Sequence, residues 1–294
     1  ISMLYNVPVA ELIRINGITN PNDVPVGLRL YIPQKPRPTI DTSAYIDVSA
    51  TGAASPGIVD RVGIHLTYLT IFSYAVNRDG SLTPIVDEPT IQAAYRQRAL
   101  PLMVLTNFED GTFSRELATT ILSSESLQET VLDNAIAIME QKGYRGLDVD
   151  FEYLGAENRE RYNAFMRRAA ARLRPLDLLL SSALAPKISA DQPGTLYEGH
   201  DYRAHGETND MVFLMTYEWG WSGGPPMAVS PIDQVRAVLE YAITEIPRDK
   251  IMMGIPLYGY DWTLPYVPGG QWARVISPQQ AIELALRYNT NIEY

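Results

Sequence analysis

The sequence predicts an α/β protein: a (β/α)8 barrel of the TIM type, its eighth strand missing from this chain, with a small partial α+β module at the N-terminus. Three observations predict it. From Thr42 onward, short apolar runs alternate with segments of helical periodicity, as a barrel requires. The apolar runs are continuous, which suits strands covered on both faces. A proline-bearing polar stretch, Gln34 to Thr39, sets off the first 34 residues and predicts an extended linker. With 294 residues and 46% hydrophobic composition, the chain can bury a core of the size one barrel needs.

The N-terminal segment opens with a helical pattern in Leu4, Val7, Val9, Leu12 and Ile13, stopped by Asn16-Gly17. Gly27 to Pro33 then reads as a short strand ended by proline. The expected organisation is a module over 1–34, a linker over 35–41 and a barrel over 42–294. In the barrel, strands are expected at 43–49, 66–75, 100–107, 146–152, 178–185, 211–217 and 251–257. The intervening helices carry start and stop signals. Ser126-Leu127-Gln128-Glu129 has the form of a capping box, with Gly143 past that helix's end. Tyr162, Phe165, Met166, Ala169 and Leu173 recur at helical spacing until Pro175. Ser230-Pro231 and Ser277-Pro278 predict two later starts with a cap and a proline at the first helical position.

Seven strands are countable before Tyr294. An open barrel exposes two strand edges, so the numbered chain is expected to be an excised piece of a longer protein. A doubly wound sheet is the competing architecture, but no glycine-rich phosphate loop follows the first strand.

Composition narrows the function. A formal net charge of -10 argues against nucleic acid, whose binders carry a basic footprint. Zero cysteines exclude disulfides and thiolate metal sites and leave the compartment open. No apolar run approaches the roughly 18 residues of a membrane helix, so membrane insertion is not expected. Oligomeric state is not readable.

The chemistry concentrates in Gly146-Leu147-Asp148-Val149-Asp150-Phe151-Glu152. Side chains alternate across a strand, so Asp148, Asp150 and Glu152 share one side while Leu147, Val149 and Phe151 share the other. The acids follow one another at about 6.6 Å, and like charges at that range in a sheltered cavity raise at least one pKa. A carboxylic acid kept protonated near neutrality is a general acid, and Glu152 lies at the carboxyl end of its strand, where barrels keep their active sites. Binding of Mg²⁺ or Ca²⁺ by these oxygens is the competing use. His65, His200 and His205 show no ligand spacing. Trp219, Trp221, Tyr258, Tyr260 and Trp262 can stack on sugars or pack in the core. Asn107 and Tyr74 end strands at the same face, where they can bond sugar hydroxyls or an internal network.

Two resemblances bear on these residues. VAELIRINGITN (9–20) followed by VGLRLYIP (26–33) resembles part of a LysM module, which implies binding of N-acetylglucosamine-containing glycans such as peptidoglycan or chitin. The family's first strand and Gly-Asp-Thr turn have no counterpart after Ile1. The stretch GLDVDFE resembles the fourth-strand signature of glycoside hydrolase family 18, Asp-Gly-x-x-Asp-x-Asp-x-Glu or close variants. That resemblance implies that Glu152 protonates the glycosidic oxygen, that Asp150 orients the acetamido group and that Asp148 supports Asp150. MTYEW (215–219) resembles the family's sixth-strand end, implying that the Tyr217 hydroxyl bonds the acetamido carbonyl, with Met215 and Trp219 beside the substrate. GIPLYG (254–259) resembles the seventh-strand end, placing Tyr258 along the cleft. No metal or cofactor is implied.

Arg145 stands where many members have aspartate, Thr106-Asn107-Phe108 replaces their serine-glycine-glycine motif, and the eighth-strand tryptophan has no counterpart before Tyr294. The implied reaction is retaining and substrate-assisted, with the N-acetyl oxygen as nucleophile. LysM paired with such a barrel resembles bacterial spore-wall hydrolases, implying action outside the cytoplasm at a cell or spore wall. The alternative is a catalytically silent glycan lectin; such lectins often lose the acid, and Glu152 is present.

Overall fold

The computed structural model describes residues 1–2, 7–33 and 39–292. The chain divides into two compact units, Ile1–Asp41 and Thr42–Tyr294. The expected helical start at Leu4 and most of the expected linker lie outside the described residues.

In the first unit, helix α1 (Val9–Asn16) buries Leu12 and ends at Gly17, whose φ of 60° is the left-handed conformation that favours glycine. The expected strand at 27–33 does not form. No neighbouring strand pairs with it among the described residues, and the Asn16 side chain takes the partner's place. Its Nδ2 donates to the Tyr31 carbonyl at 2.8 Å while its Oδ1 accepts from the Tyr31 N–H at 2.6 Å. One amide thereby satisfies the two backbone groups that a ladder would have paired.

The second unit is built on strands β1 (Ser43–Asp47), β2 (Tyr68–Ala75), β3 (Leu100–Thr106), β4 (Gly146–Asp150), β5 (Leu179–Leu184), β6 (Met211–Leu214) and β7 (Ile251–Met253). They form one parallel sheet in strictly sequential order, β1 to β7. A doubly wound sheet must reverse its order at a switch point, and this one never does, so the competing architecture is excluded. The sheet is a half-barrel. Helices α2 (Ser55–Val62), α3 (Glu88–Arg96), α4 (Arg115–Leu122), α5 (Glu125–Lys142), α6 (Arg159–Leu173), α7 (Tyr202–Thr208) and α8 (Ile232–Glu245) fill the crossovers. Beyond β7, a small antiparallel pair, β8 (Gly259–Asp261) and β9 (Arg274–Ile276), leads to α9 (Pro278–Tyr288).

The helix-facing sides of the strands supply the core. Leu69, Ile71, Met103, Leu105, Leu147 and Val149 are all buried in one cluster with Val131, Ala135, Met139, Phe165 and Leu173 of the helices. At about 1.5–3 kcal/mol for each large side chain removed from water, this layer fixes the strand register, because a one-residue slip would turn the apolar set inward.

Two expected helix starts are corrected. The cap of α5 is Ser124, whose hydroxyl accepts from Leu127 N–H, rather than Ser126. Glu129, the carboxylate such a capping box needs, is instead drawn to Arg168 and Arg172 of α6. The start of α8 has no side-chain cap, because the Ser230 hydroxyl donates to the Thr216 carbonyl at 2.5 Å. Ser277 caps α9 as expected, in a reciprocal pair with Gln280.

Candidate active site

Strand β4 delivers the alternation. Phe151 stacks between Tyr162 and Phe165 at centroid distances of 5.8 and 5.9 Å, which commits the odd-numbered side to the helices. Asp148 and Asp150 therefore project to the sheet's other side, both buried, and Glu152 follows them just past the strand's end, part-buried. Asp148 is held between neighbours. Tyr45 of β1 donates to its Oδ2 at 2.7 Å and Ser181, directly opposite on β5, donates to its Oδ1 at 2.5 Å. Burial pushes the Asp148 carboxyl up to about 6 against the pull of those two bonds.

Asp150 has less help: its Oδ1 has no hydrogen-bond partner among the described residues. Burial, followed by the charges of Glu152 and Asp148, pushes its carboxyl well above the usual range. Burial and then the Glu218 charge push Glu152 up to about 7. This is the environment that keeps a carboxyl protonated at neutral pH.

Tyr217 reaches the same place from β6. Phe213 of β6 meets the Tyr45 ring edge-on at 5.2 Å, and the chain runs on past the strand's end at Leu214, through part-buried Met215, to bring Tyr217 to the acid side. The Tyr217 hydroxyl is raised by burial, then by Asp150, Glu152 and Asp148. Gly254 makes room for its ring: a Cβ there would lie 2.7 Å from Tyr217 Cε1 and 2.6 Å from the Leu214 carbonyl oxygen. The glycine of GIPLYG is thus read by the structure as clearance for a tyrosine.

Of the other candidates, Tyr258 comes to the site through Glu218. Its hydroxyl donates to Glu218 Oε1 at 2.5 Å, alongside that of Tyr260 at 2.7 Å. Asn107 does not offer its amide to a ligand. It is buried, bonded to Ser114 and to both backbone groups of Glu152. Trp219 packs against the buried core, whereas Trp221 is exposed and meets Trp272 edge-on at 5.6 Å.

Tyr74 is a correction. Its hydroxyl donates to Asp87 Oδ2 at 2.5 Å, and the ring is buried on the helix side. The cause is a bulge: Ile71 pairs with Met103 and Tyr74 with Leu105, three residues of β2 against two of β3. One extra residue reverses the alternation, so Tyr74 joins the face of Ile71.

Sequence reasoning missed Tyr45, Ser181, Glu218 and His200. Tyr45 and Ser181 become visible only when strand register is known. Glu218 sits at φ 69°, a conformation uncommon for a side-chain-bearing residue, and nothing in its neighbours announces it. Among the described residues, no three metal-ligating side chains gather closely enough to hold an ion.

Comparisons with known proteins agree with this geometry. The model of the Glycosyl hydrolases family 18 matches residues 93–291, and that of the LysM domain residues 1–33. The cortical fragment-lytic enzyme of Bacillus subtilis (strain 168) is 45% identical over 266 residues, covering 89% of this chain and 61% of the relative. The chain thus spans about three-fifths of the length of the curated relatives it matches. The crystal structure of the Bacillus cereus spore cortex-lytic enzyme SleL superposes with a TM-score of 0.91 at 39% identity, covering 100% of this chain and 68% of the other. A chitinase from Chromobacterium violaceum shares the fold, with a TM-score of 0.78 at 22% identity, covering 87% of this chain and 79% of the other. With the family model matching residues 93–291, about two-thirds of this chain, the chain belongs to glycosyl hydrolase family 18.

Proposed function

We propose that this chain carries the machinery for retaining, substrate-assisted hydrolysis of β-glycosidic bonds next to N-acetylglucosamine, in the peptidoglycan of a spore cortex or cell wall or in chitin-like glycans. One observation carries the reading: Glu152, raised to about 7, stands at the strand end beside the buried, underbonded Asp150.

Glu152 gives its proton to the glycosidic oxygen as that bond breaks. The N-acetyl carbonyl oxygen of the same sugar attacks the anomeric carbon and closes an oxazolinium ring. Asp150 accepts the acetamido N–H and steadies the positive charge, while the Tyr217 hydroxyl donates to the acetamido oxygen and aims it. Water then attacks the anomeric carbon, losing its proton to Glu152, which restores the acid and retains configuration. A nucleophile from the substrate also suits the carboxylates present. The acids of β4 line up along one strand and so do not flank a ring, as a conventional retaining pair about 5–5.5 Å apart would. Glu218 is already occupied by two tyrosine hydroxyls.

The names of the cortex-lytic relatives favour peptidoglycan as the glycan, and the match of residues 1–33 to LysM favours a second contact with N-acetylglucosamine units. Action at a cell or spore wall follows. The expected domain plan, with a module over 1–34, a linker over 35–41 and a barrel over 42–294, is retained as part of this proposal.

Glu152→Gln tests the assignment. Turnover of peptidoglycan fragments or chitin oligosaccharides is expected to fall roughly 10²–10⁴-fold with binding kept. Unchanged turnover would end the reading. A thiazoline that mimics the oxazolinium ring is expected to inhibit tightly, and failure to inhibit would remove substrate assistance.

A further inference from the structure

We infer that Asn107 and His200 are positioning residues that aim Glu152 by gripping the peptide unit in front of it. The inference rests on the assignment of Glu152 as the acid. The need for a grip is topological. The ladder between β3 and β4 ends with Thr106 opposite Asp150, and that between β4 and β5 ends with Val149 opposite Ser182. Glu152 lies beyond both, and Tyr153 turns immediately into a left-handed conformation with φ 55°. Among the described residues, no strand pairing holds the backbone where the acid sits.

Two side chains replace it. The Asn107 Oδ1 accepts from the Glu152 N–H at 2.9 Å, and its Nδ2 donates to the Glu152 carbonyl at 2.9 Å. The other Nδ2 hydrogen donates to the Ser114 carbonyl at 3.0 Å, and the Ser114 N–H returns to the Asn107 carbonyl at 2.8 Å, so the amide is locked. From the opposite flank, His200 Nε2 donates to the Phe151 carbonyl at 2.9 Å. Its tautomer is fixed, because Nδ1 accepts from the Ala185 N–H at 2.8 Å. The Phe151 carbonyl and the Glu152 N–H are the two poles of a single peptide unit. Each pole is taken by a different side chain, both fully or nearly fully buried, from opposite sides of β4. Rotation of that unit would swing Glu152 away from the glycosidic oxygen. The Lys187 ammonium braces the far end by donating to the His200 carbonyl at 2.8 Å.

The test separates aim from fold. In Asn107→Ala, kcat on chitin oligosaccharides or peptidoglycan fragments is expected to drop roughly 10–100-fold, with KM within twofold, since misplacement of the reacting groups taxes the chemical step. Amide hydrogen exchange reads the grip without activity. Exchange at Glu152 should rise at least tenfold in Asn107→Ala and in His200→Phe, with Leu147 and Val149 still protected. Should Asn107→Ala fail to fold, Asn107→Asp carries the test, since it keeps the acceptor for the Glu152 N–H and loses both donated bonds. A folded Asn107→Ala with wild-type kcat, or with unchanged exchange at Glu152, overturns the inference. Glu152→Gln run in parallel separates the two readings. If it is silent while Asn107→Ala turns over normally, positioning falls alone; if it is fully active, the acid assignment falls and takes this inference with it.

Discussion

Two buried aspartates, one on each side of the sheet, have been given opposite treatment. Asp87, in the loop before α3, is fully buried on the helix side and has everything a carboxylate needs. The Lys142 ammonium lies 2.6 Å from Oδ1, and the hydroxyls of Tyr74 and Tyr144 each donate to Oδ2 at 2.5 Å. Burial pushes this carboxyl up, but Lys142, Tyr144 and Tyr74 together hold it below the usual range. Asp150 is also buried, lacks a partner for Oδ1 among the described residues and faces two like charges. The same chain can evidently satisfy a buried acid. Under the proposed mechanism, leaving Asp150 short keeps it ready for the acetamido N–H, whereas Asp87 is a structural pin.

The comparison breaks if the two sites answer substitution alike. The largest expected effect is loss of the pin. Asp87→Asn leaves Lys142 with only the exposed carboxylate of Glu88, 3.1 Å away, and should cost about 3 kcal/mol in urea unfolding, with turnover per folded molecule unchanged. Asp150→Asn should do the reverse, gaining stability at pH 7 while hydrolysis collapses. Equal destabilisation by both would erase the contrast.

A pH series sharpens it. Asp87, depressed on folding, contributes stability above its unfolded pKa that is lost as pH falls through the folded value. Asp148 and Glu152, raised to about 6 and about 7, contribute stability that is full below about pH 4 and is lost as pH rises through those values. Glu152→Gln should therefore gain on wild type by up to about 3 kcal/mol between pH 4 and pH 8, measured as the difference in urea midpoints. No gain across that window would mean that Glu152 is not held protonated. The smallest effect belongs to Tyr74→Phe, which removes one hydroxyl from Asp87 and should cost about 1 kcal/mol with KM for glycan unaltered. A raised KM would return Tyr74 to the sugar site.

The contrast also explains what could be read from residues alone. The barrel strands announced themselves because both faces are covered, and the acid line stood out because Asp148, Asp150 and Glu152 break that rule on one side. Alternation alone could not place Tyr74, since a single bulge between Ile71 and Tyr74 reverses the parity of everything after it. Nor could it foresee that Asn107 spends its amide on Glu152, or that Asn16 does the same for Tyr31 in the first unit. Those bonds depend on where a distant backbone runs out of ladder. Glu218 entered unannounced for a similar reason, because its partners Tyr258 and Tyr260 lie 40 and 42 residues further on.

The sequential order of the sheet has a consequence for the order of assembly. Each of β2 to β7 pairs with the strand synthesised just before it, so the sheet can grow from its N-terminal edge as the chain emerges. Asp148 finds Tyr45 already made, 103 residues behind it, and must wait 33 residues more for Ser181. Tyr217 and Glu218 arrive later still. The helix-side pin at Asp87 needs nothing beyond Tyr144, so that pin can close before the acid line has its full company of Ser181, Tyr217 and Glu218.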